Sequence, residues 1–204
     1  LQHLQIQLLI TQDLIHQQAL RCIRDNKDKP FFGYFAYTLP HASLEQPTDS
    51  ILKKYNGKFY EPKVFGGGSY SATDIPRAQL AGMITRLDTY VGEVIAELDK
   101  QGILDNPIVI FTSDNGPHSE GGADPAFFNT EKRLRGTKRM LYEGGMREPL
   151  VVYWKGHVAP GVVNNHVGVA YDMMPTFREL LGLQSAWTQE TDGISMLPTI
   201  TGQG

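Results

Sequence analysis

The chain has 204 residues, with 19 basic and 22 acidic side chains and a formal net charge of −3 at pH 7. This near balance of charge excludes a strongly basic nucleic-acid binder and a polyacidic tail. A hydrophobic fraction of 41% and a charged fraction of 20% are typical of a globular domain rather than a disordered chain. The single cysteine, Cys22, excludes an intramolecular disulfide and a zinc cluster built from cysteines.

Neither end of the chain has the pattern of a targeting or membrane segment. The opening LQHLQIQLLI lacks the basic stretch and the small-residue cleavage site of a signal peptide. No run of residues reaches the roughly 18 apolar positions that a membrane span needs. The chain starts at Leu1 and stops at TGQG without a closing element, so we expect a fragment of a longer protein.

The first half of the chain is predicted to contain two long helices, one strand and one long loop. Apolar residues at helical spacing predict a helix over 12–27. The aromatic run FFGYFAYT, residues 31–38, has no helical period and predicts a strand buried on both faces. Residues 39–75, rich in proline and glycine, are predicted to form a long loop, which is either functional or a small insertion. Apolar side chains that alternate by four and three predict a second helix over 75–101, with Asp74 as its N-cap.

The second half of the chain is predicted to alternate strands with loops and one short helix. The apolar runs 107–113, 148–154 and 166–171 predict three strands, and residues 172–182 predict a helix with a proline in its first turn. A polar, glycine-rich stretch covers 116–145. Buried strands between helices predict an α/β fold with a mostly parallel sheet flanked by helices.

A pair of oxygen-bearing side chains follows the strand predicted over 107–113. Asp114 and Asn115 come directly after it, where ligands gather in open α/β sheets. A carboxylate beside an amide oxygen suits a hard cation such as Ca²⁺ or Mg²⁺. The alternative is an ordinary turn at the end of a strand, because Asp-Asn-Gly is also a common turn sequence.

A basic, glycine-rich segment follows at residues 135–149. Its four cations, Arg135, Lys138, Arg139 and Arg147, fall within thirteen residues. Lysine and arginine donate hydrogen bonds to oxyanions such as phosphate or sulfate, and glycines let the backbone approach them. The alternative is a solvated basic loop without a ligand.

Two histidines lie beside the predicted strand ends. His41 follows Pro40 at the end of the aromatic run, where an imidazole can bind an anion or move a proton. His118 follows the Asp114-Asn115 pair closely and either reaches the substrate or caps the loop. The alternative for each is a structural histidine. Structural roles are predicted for Glu143 and for Asp172, which reads as an N-cap.

Five segments of the chain together resemble the sulfatase family of the alkaline-phosphatase-like superfamily. They occur in the family's order, and the likeness extends from about residue 12 over nearly the whole chain. The most specific combination is SDNG followed by G-x-K-x-x-x-YEGG-x-R-x-P. The likeness is greatest to bacterial arylsulfatase-type enzymes, including those that act on sulfated sugars. The segments are PFFGYFAYTLPHASLEQP (30–47), LDTYVGEVIAELDKQGILDN (87–106), IVIFTSDNGPH (108–118), RGTKRMLYEGGMREPLVVYWKG (135–156) and DMMPTFRELLGL (172–183).

The resemblance implies a partial alkaline-phosphatase-like sandwich that hydrolyses sulfate esters of aryl or sugar substrates. The family pattern places metal ligands for Ca²⁺ at Asp114 and Asn115. It places the lysine that contacts the sulfate at Lys138, and the histidine that contacts the sulfate or leaving group at His41. His118 is a further candidate for the substrate, and the pattern assigns no role to Arg147.

The family's nucleophile is not among these residues. It is a formylglycine made from the Cys or Ser of a C/S-x-P-x-R motif, and Cys22 stands instead in LRCIRD. The resemblance therefore implies that 1–204 is the later part of one catalytic domain, without the nucleophile half and the C-terminal subdomain. We expect this chain alone to be inactive and to bind Ca²⁺ weakly, since two ligands fall short of the roughly six to eight that Ca²⁺ prefers.

Two other functions remain open at this point. One is a phosphodiesterase or phosphonate monoester hydrolase of the same superfamily, and the other is a non-catalytic sulfoglycan-binding paralogue. The expected partner is a sulfated small molecule or glycan, with no nucleic acid and no membrane span. By family analogy we expect an exported protein, in the periplasm, outside the cell or in the lysosome.

Overall fold

The computed structural model describes residues 2–128, 134–183, 185 and 189–203, with residues 2–10 described by their backbone. The chain divides into two compact units. The first comprises Leu1–Leu104 and Thr112–Pro149, and the second comprises Asp105–Phe111 and Leu150–Gly204. Every predicted site residue except Asp172 lies in the first unit, so that unit is described in more detail.

Two long helices form the frame of the first unit. Helix α1 spans Gln2–Asn26 and helix α3 spans Pro76–Lys100, and the two pack against each other. Both were predicted from their apolar spacing, although α1 begins earlier than residue 12. Each has 25 residues, yet no described helix is both long and apolar enough to cross a membrane. The short helices of this unit are α2 (Ser50–Lys53), α4 (Pro125–Phe128), α5 (Glu143–Met146) and a 3₁₀ turn at Glu120–Gly122.

The start of α3 is capped by a residue that the sequence did not indicate. Asp74 was predicted as the N-cap, but the helix starts after Ile75, whose side chain makes no capping hydrogen bond. The carboxylate of Glu61 instead accepts the free N–H groups of Arg77 at 3.1 Å and Ala78 at 3.0 Å. The long loop 39–75 therefore folds back on the start of α3 and supplies hydrogen-bond acceptors to its free N–H groups.

Polar side chains join α1 to α3 at their contact. His16 is 4% exposed, and its ring stacks on Tyr90 with centroids 4.2 Å apart. Its Nε2 lies 2.8 Å from a carboxylate oxygen of Glu93, and its Nδ1 lies 2.8 Å from the hydroxyl of Tyr37. Burial and then the charge of Glu93 raise the pKa of Tyr37 to about 12. Both ring nitrogens are satisfied inside the helix pair, which gives His16 a structural role.

The loop 39–75 is anchored to α3 rather than loose. Leu44 is fully buried and forms an apolar cluster with Leu80 and Met83 of α3. The side-chain amide of Gln46 donates to the backbone oxygen of Gln79 at 2.7 Å. Because Leu44 and Gln46 are fixed to α3, they restrict the position of His41, which lies a few residues earlier in the loop.

The second unit contains the described sheet except for Thr112, the last residue of its first strand. Strand β1 spans Val109–Thr112 and strand β2 spans Leu150–Tyr153, and they pair in a two-stranded sheet. Both strands were predicted. A 3₁₀ turn at Ala170–Asp172 leads into helix α6 (Met173–Leu180), and α7 (Leu197–Ile200) follows.

Asp172 stands at the predicted N-cap position of α6, but its side chain makes its contacts elsewhere. The side chain is 3% exposed and makes no capping hydrogen bond to that helix. Its carboxylate accepts the backbone N–H of Val169 at 2.9 Å and that of Ile194 at 2.9 Å. The residue therefore joins two loops of the second unit.

Two of the predicted strands are absent from this structure. Residues 31–38 and 166–171 do not form strands, and within the described chain neither is paired in a sheet. Side chains predicted to be buried are exposed, with Phe32 at 72% and Tyr34 at 81%. A strand exists only through hydrogen bonds to a neighbour, so apolar pattern alone cannot create one. The mostly parallel, multi-stranded sheet stays a prediction.

Glycines allow three loops of the first unit to meet by their backbones. The N–H of Gly116 donates to the oxygen of Gly145 at 3.2 Å, and the N–H of Gly144 donates to the oxygen of Arg135 at 2.8 Å. A Cβ at Gly116 would overlap the carbonyl oxygen of Gly144, and a Cβ at Gly145 would lie 2.5 Å from the carbonyl oxygen of Thr137. Only residues without a side chain fit at this crossing.

Substitution of Gly145 by alanine tests how closely these loops pack. We expect Gly145→Ala to lower the free energy of unfolding by about 1–3 kcal/mol, because the new methyl group displaces the backbone of Thr137. Gly92→Ala in α3 is the matched control, since no atom outside the adjacent backbone of its own helix lies within 4 Å of its Cβ position. We expect that change to be neutral or stabilising by up to about 1 kcal/mol. Urea denaturation measures both, and equal effects of the two changes would contradict the close approach.

Candidate functional site

The loop after β1, residues 113–120, contains most of the predicted site residues. Asp114 is exposed and Asn115 is half-buried, directly after the end of β1 at Thr112. The hydroxyl of Ser113 donates to the backbone oxygen of Asn115 at 3.1 Å, which closes the turn. The predicted pair therefore lies at a strand end, and its side chains are open to a ligand.

A second carboxylate, which the sequence analysis did not single out, lies near Asp114. Burial raises the pKa of Glu148 above its usual value of 4.5, and the negative charge of Asp114 raises it further. The Oε1 atom of Glu148 is buried and has no hydrogen-bond partner among the described residues. Two like charges and an unsatisfied acceptor together favour a cation at this position.

His118 makes two backbone contacts that determine which of its ring nitrogens carries the proton. The N–H of Glu120 donates to Nδ1 of His118 at 3.2 Å, so Nδ1 carries no proton. Its Nε2–H then donates to the backbone oxygen of Pro40 at 3.0 Å. Both ring nitrogens are used, so His118 ties the loop 113–120 to the segment that carries His41. This favours the loop-capping role that the sequence left open.

His41 lies beside His118, with ring centroids 5.7 Å apart and planes inclined by 28°. Its Nδ1 lies 2.7 Å from the backbone oxygen of Ala42, to which it donates. The side chain is 45% exposed, and Nε2 lies 3.9 Å from Oε2 of Glu120. Nε2 is therefore the nitrogen available to a substrate.

Glu120 stands at the centre of the site, although sequence reasoning missed it. Tyr70 donates its hydroxyl to Oε2 of Glu120 at 3.0 Å, and the guanidinium of Arg139 lies 2.7 Å from Oε1. The hydrogen bond from Tyr70 and the charges of Arg139 and Lys138 outweigh burial and hold the pKa of Glu120 below its usual value. The available signal was an acidic residue two positions after His118, in a loop otherwise poor in charge.

The basic segment contributes Lys138 and Arg139 to this cluster. The N–H of Lys138 donates to the backbone oxygen of Pro117 at 2.9 Å, which holds the lysine against the loop 113–120. Arg139 has φ = 74°, a left-handed conformation that arginine rarely adopts. Its neighbour Met140 is fixed by a hydrogen bond from its N–H to the oxygen of Thr137 at 2.9 Å. Two consecutive cations are thus held beside Glu120.

The other two cations of the segment make local contacts. The guanidinium of Arg135 lies 4.0 Å from the ring centroid of Tyr142. Arg147 forms an exposed pair with Glu143 at 3.4 Å on α5, a type of contact that contributes little to stability. The structural role predicted for Glu143 stays a prediction.

The predicted residues therefore form two groups, one at each end of the loop 113–120. Asp114 and Asn115 lie at its start with Glu148, and His118 lies at its end with His41 and Lys138 around Glu120. In the described part of the chain, no three His, Cys, Asp or Glu side chains are arranged to hold a metal ion. The groups supply an acidic region and a basic region, which suit a cation and an anion respectively.

Comparison with known proteins gives a consistent result. The family model named Sulfatase matches residues 10–183. N-acetylgalactosamine-6-sulfatase of Rattus norvegicus is 33% identical over 191 residues, which are 90% of this chain and 31% of that protein. The chain thus spans about a third of the length of the curated relatives it matches.

Solved structures agree with this match. The structure of Ps i-CgsB in complex with k-i-k-neocarrahexaose has a TM-score of 0.75 and 30% identity, covering 94% of this chain and 38% of that one. The PsFucS1 sulfatase from Pseudoalteromonas sp. has a TM-score of 0.70 and 26% identity, covering 95% and 35% of the two chains. The fold is shared with sulfatases, and the family model covers most of the sequence. The chain belongs to the sulfatase family.

Proposed function

We propose that the protein containing this chain hydrolyses sulfate esters, with His41 and Lys138 contacting the sulfate and Asp114 and Asn115 binding Ca²⁺. The observation that carries the proposal is the cluster of Lys138, Arg139 and His41 beside one loop, in a chain of the sulfatase family. Cations held in place before the substrate arrives stabilise the oxygens of a sulfate ester without reorganisation during the reaction.

In this proposal a backbone hydrogen bond holds Lys138 and a ring hydrogen bond holds His41. The N–H of Lys138 is fixed to Pro117, so its ammonium group is presented from an ordered backbone. The Nδ1–H of His41 is committed to Ala42, so Nε2 is the atom that faces the sulfate. In the imidazolium form, the Nε2–H donates to a sulfate oxygen or gives its proton to the leaving oxygen. His118, with both nitrogens engaged, positions the segment of His41 and is not a proton donor to the substrate.

The acidic region fits a hard cation. Asp114 and Asn115 offer oxygen ligands, and the buried, unpaired Oε1 of Glu148 adds negative potential beside them. A bound calcium ion would offset charge on the sulfate oxygens. Because Ca²⁺ takes roughly six to eight oxygens, further ligands are needed besides these residues. We assign those ligands, together with a formylglycine nucleophile, to other parts of the protein.

The proposal of a complete catalytic domain also accounts for two apolar segments that form no strand in the described part of the chain. The apolar segments 31–38 and 166–171 expose side chains of strand-forming type, among them Phe32, Tyr34 and Val167. We propose that both become strands of a mostly parallel sandwich in the complete catalytic domain, where neighbouring strands would cover them.

We further propose that the substrate is a sulfated sugar or another sulfated small molecule. The names of the relatives support a sugar, since one is an N-acetylgalactosamine-6-sulfatase and one structure holds k-i-k-neocarrahexaose. By analogy with the family we propose an exported or lysosomal location. The two other functions, a phosphonate or phosphodiester hydrolase and a non-catalytic sulfoglycan binder, are decided by the experiment below.

Turnover by the complete protein tests the proposed function. We expect it to hydrolyse 4-nitrophenyl sulfate or a sulfated monosaccharide, and Lys138→Ala to lower kcat/KM roughly 100-fold or more, because a cation at the sulfate is lost. Lys100→Ala, at the exposed end of α3, is the matched control and should be unchanged. The chain 1–204 alone should show no turnover above its Lys138→Ala variant.

Three results would overturn this proposal. Faster turnover of a phosphonate or phosphodiester would favour the related hydrolases. Binding of sulfated sugar without any turnover by the complete protein would favour the non-catalytic binder. Equal activity of Lys138→Ala and Lys100→Ala would remove Lys138 from the site.

Calcium removal tests the role of Asp114. We expect Ca²⁺ to raise the unfolding free energy of the complete protein by about 2–3 kcal/mol at a concentration of about 100 times its Kd. Asp114→Asn should abolish that increase, because the neutral amide is a weaker ligand. Asp88→Asn on the exposed face of α3 is the matched control. Thermal unfolding with Ca²⁺ or with a chelator measures the effect, and an undiminished increase in Asp114→Asn would contradict the assignment.

A further inference from the structure

We infer that Glu120 is a positioning residue that holds Arg139 beside Lys138, so that Arg139 supplies a second cation to the sulfated substrate. This inference rests on the proposed function and deepens it. Its basis is the set of contacts that converge on the Glu120 carboxylate from separate segments of the chain.

The backbone of Glu120 is itself fixed. The residue opens the turn Glu120–Gly122, in which Gly121 and Gly122 have φ values of 61° and 91°. A Cβ at Gly121 would lie 2.9 Å from the Cβ of Ala42, and a Cβ at Gly122 would lie 2.9 Å from the Cβ of Phe65. The turn therefore packs closely on the loop 39–75, and it presents the Glu120 side chain from a defined position.

The two carboxylate oxygens of Glu120 have different partners. Oε2 accepts from Tyr70 at 3.0 Å and lies 3.9 Å from Nε2 of His41, whereas Oε1 lies 2.7 Å from the guanidinium of Arg139. Tyr70 and His41 come from the loop 39–75, and Arg139 comes from the basic segment. One side chain thus sets the distance between two segments that are remote in sequence.

The exposed fractions of Glu120 and Arg139 indicate that Glu120 is the anchor and Arg139 is the residue it positions. The side chain of Glu120 is 14% exposed, whereas that of Arg139 is 74% exposed. A guanidinium has five N–H donors, so an arginine held through one nitrogen keeps others for a ligand. Sulfate oxygens accept such donors in pairs, as phosphate oxygens do. The geometry leaves Arg139 anchored on one side and open on the other.

The left-handed backbone of Arg139 supports the same assignment. Its φ of 74° is unfavourable for arginine and persists only where the surroundings hold it. The flanking hydrogen bonds from Lys138 to Pro117 and from Met140 to Thr137 provide that restraint. Strained conformations of this kind concentrate at ligand-binding sites.

Kinetics of the complete protein distinguish positioning from a purely structural ion pair. We expect Glu120→Gln to raise KM for the sulfate ester roughly tenfold with little change in kcat, because substrate binding is weakened throughout the reaction. Arg139→Ala should raise KM similarly, and the double variant should be no worse than either single one. Additive effects, or KM of Glu120→Gln within twofold of wild type, would overturn the inference.

Glu97→Gln is the matched control. Glu97 is 9% exposed and pairs at 3.1 Å with Arg24, which is 43% exposed, so it is also a shielded acid bound to a more open arginine. It joins α1 to α3, away from the site. Loss of this pair should lower Tm without changing KM. An equal rise of KM in Glu97→Gln would show that the loss of any ion pair raises KM, and would contradict a specific positioning role for Glu120.

Binding of inorganic sulfate separates failure of the inference from failure of the proposed function. Absence of turnover by wild type would overturn the function alone, and calorimetric titration with sulfate then tests the positioning. We expect sulfate affinity to fall at least fivefold in Glu120→Gln and Arg139→Ala and to remain in Glu97→Gln. Equal affinity in all the variants would overturn the inference, whatever the protein hydrolyses.

Discussion

The site depends on one contact, in which the backbone of the loop 113–120 packs directly against the backbone of the basic segment. The hydrogen bonds from Lys138 to Pro117 and from Gly116 to Gly145 hold the two together, and glycines at the crossing leave room for no side chain. Lys138 and Glu120 belong to the two segments that this contact joins, so the distance between these residues depends on it. A methyl group at the crossing would separate them.

The loop 113–120 has negative charge at its start and positive charge near its end. At its start, Asp114 and the partly shielded Glu148 create a negative region, in which the pKa of Glu148 is raised. At its end, the hydrogen bond from Tyr70 and the charges of Arg139 and Lys138 lower the pKa of Glu120. A sulfate ester and a divalent cation are the kind of ligand pair that such a division accommodates, and this is the physical basis of the proposed function.

The sequence predicted local features well and contacts between distant segments poorly. The helices α1 and α3 and the strands β1 and β2 were predicted because their apolar spacing is a local property. The strand over 31–38 was wrong for this structure because pairing depends on a neighbour. Glu120 was missed because its partner Tyr70 is 50 residues away in sequence. The family pattern supplied Lys138, Asn115 and His41, which residue chemistry alone left undecided.

A crystal structure of the complete protein with Ca²⁺ and sulfate is the most direct test of the central claim. The account predicts calcium on the side-chain oxygens of Asp114 and Asn115. It also predicts sulfate within hydrogen-bond distance, about 2.7–3.2 Å, of the Lys138 ammonium group and of Nε2 of His41. Sulfate bound elsewhere, with Asp114 contacting no metal ion, would contradict it.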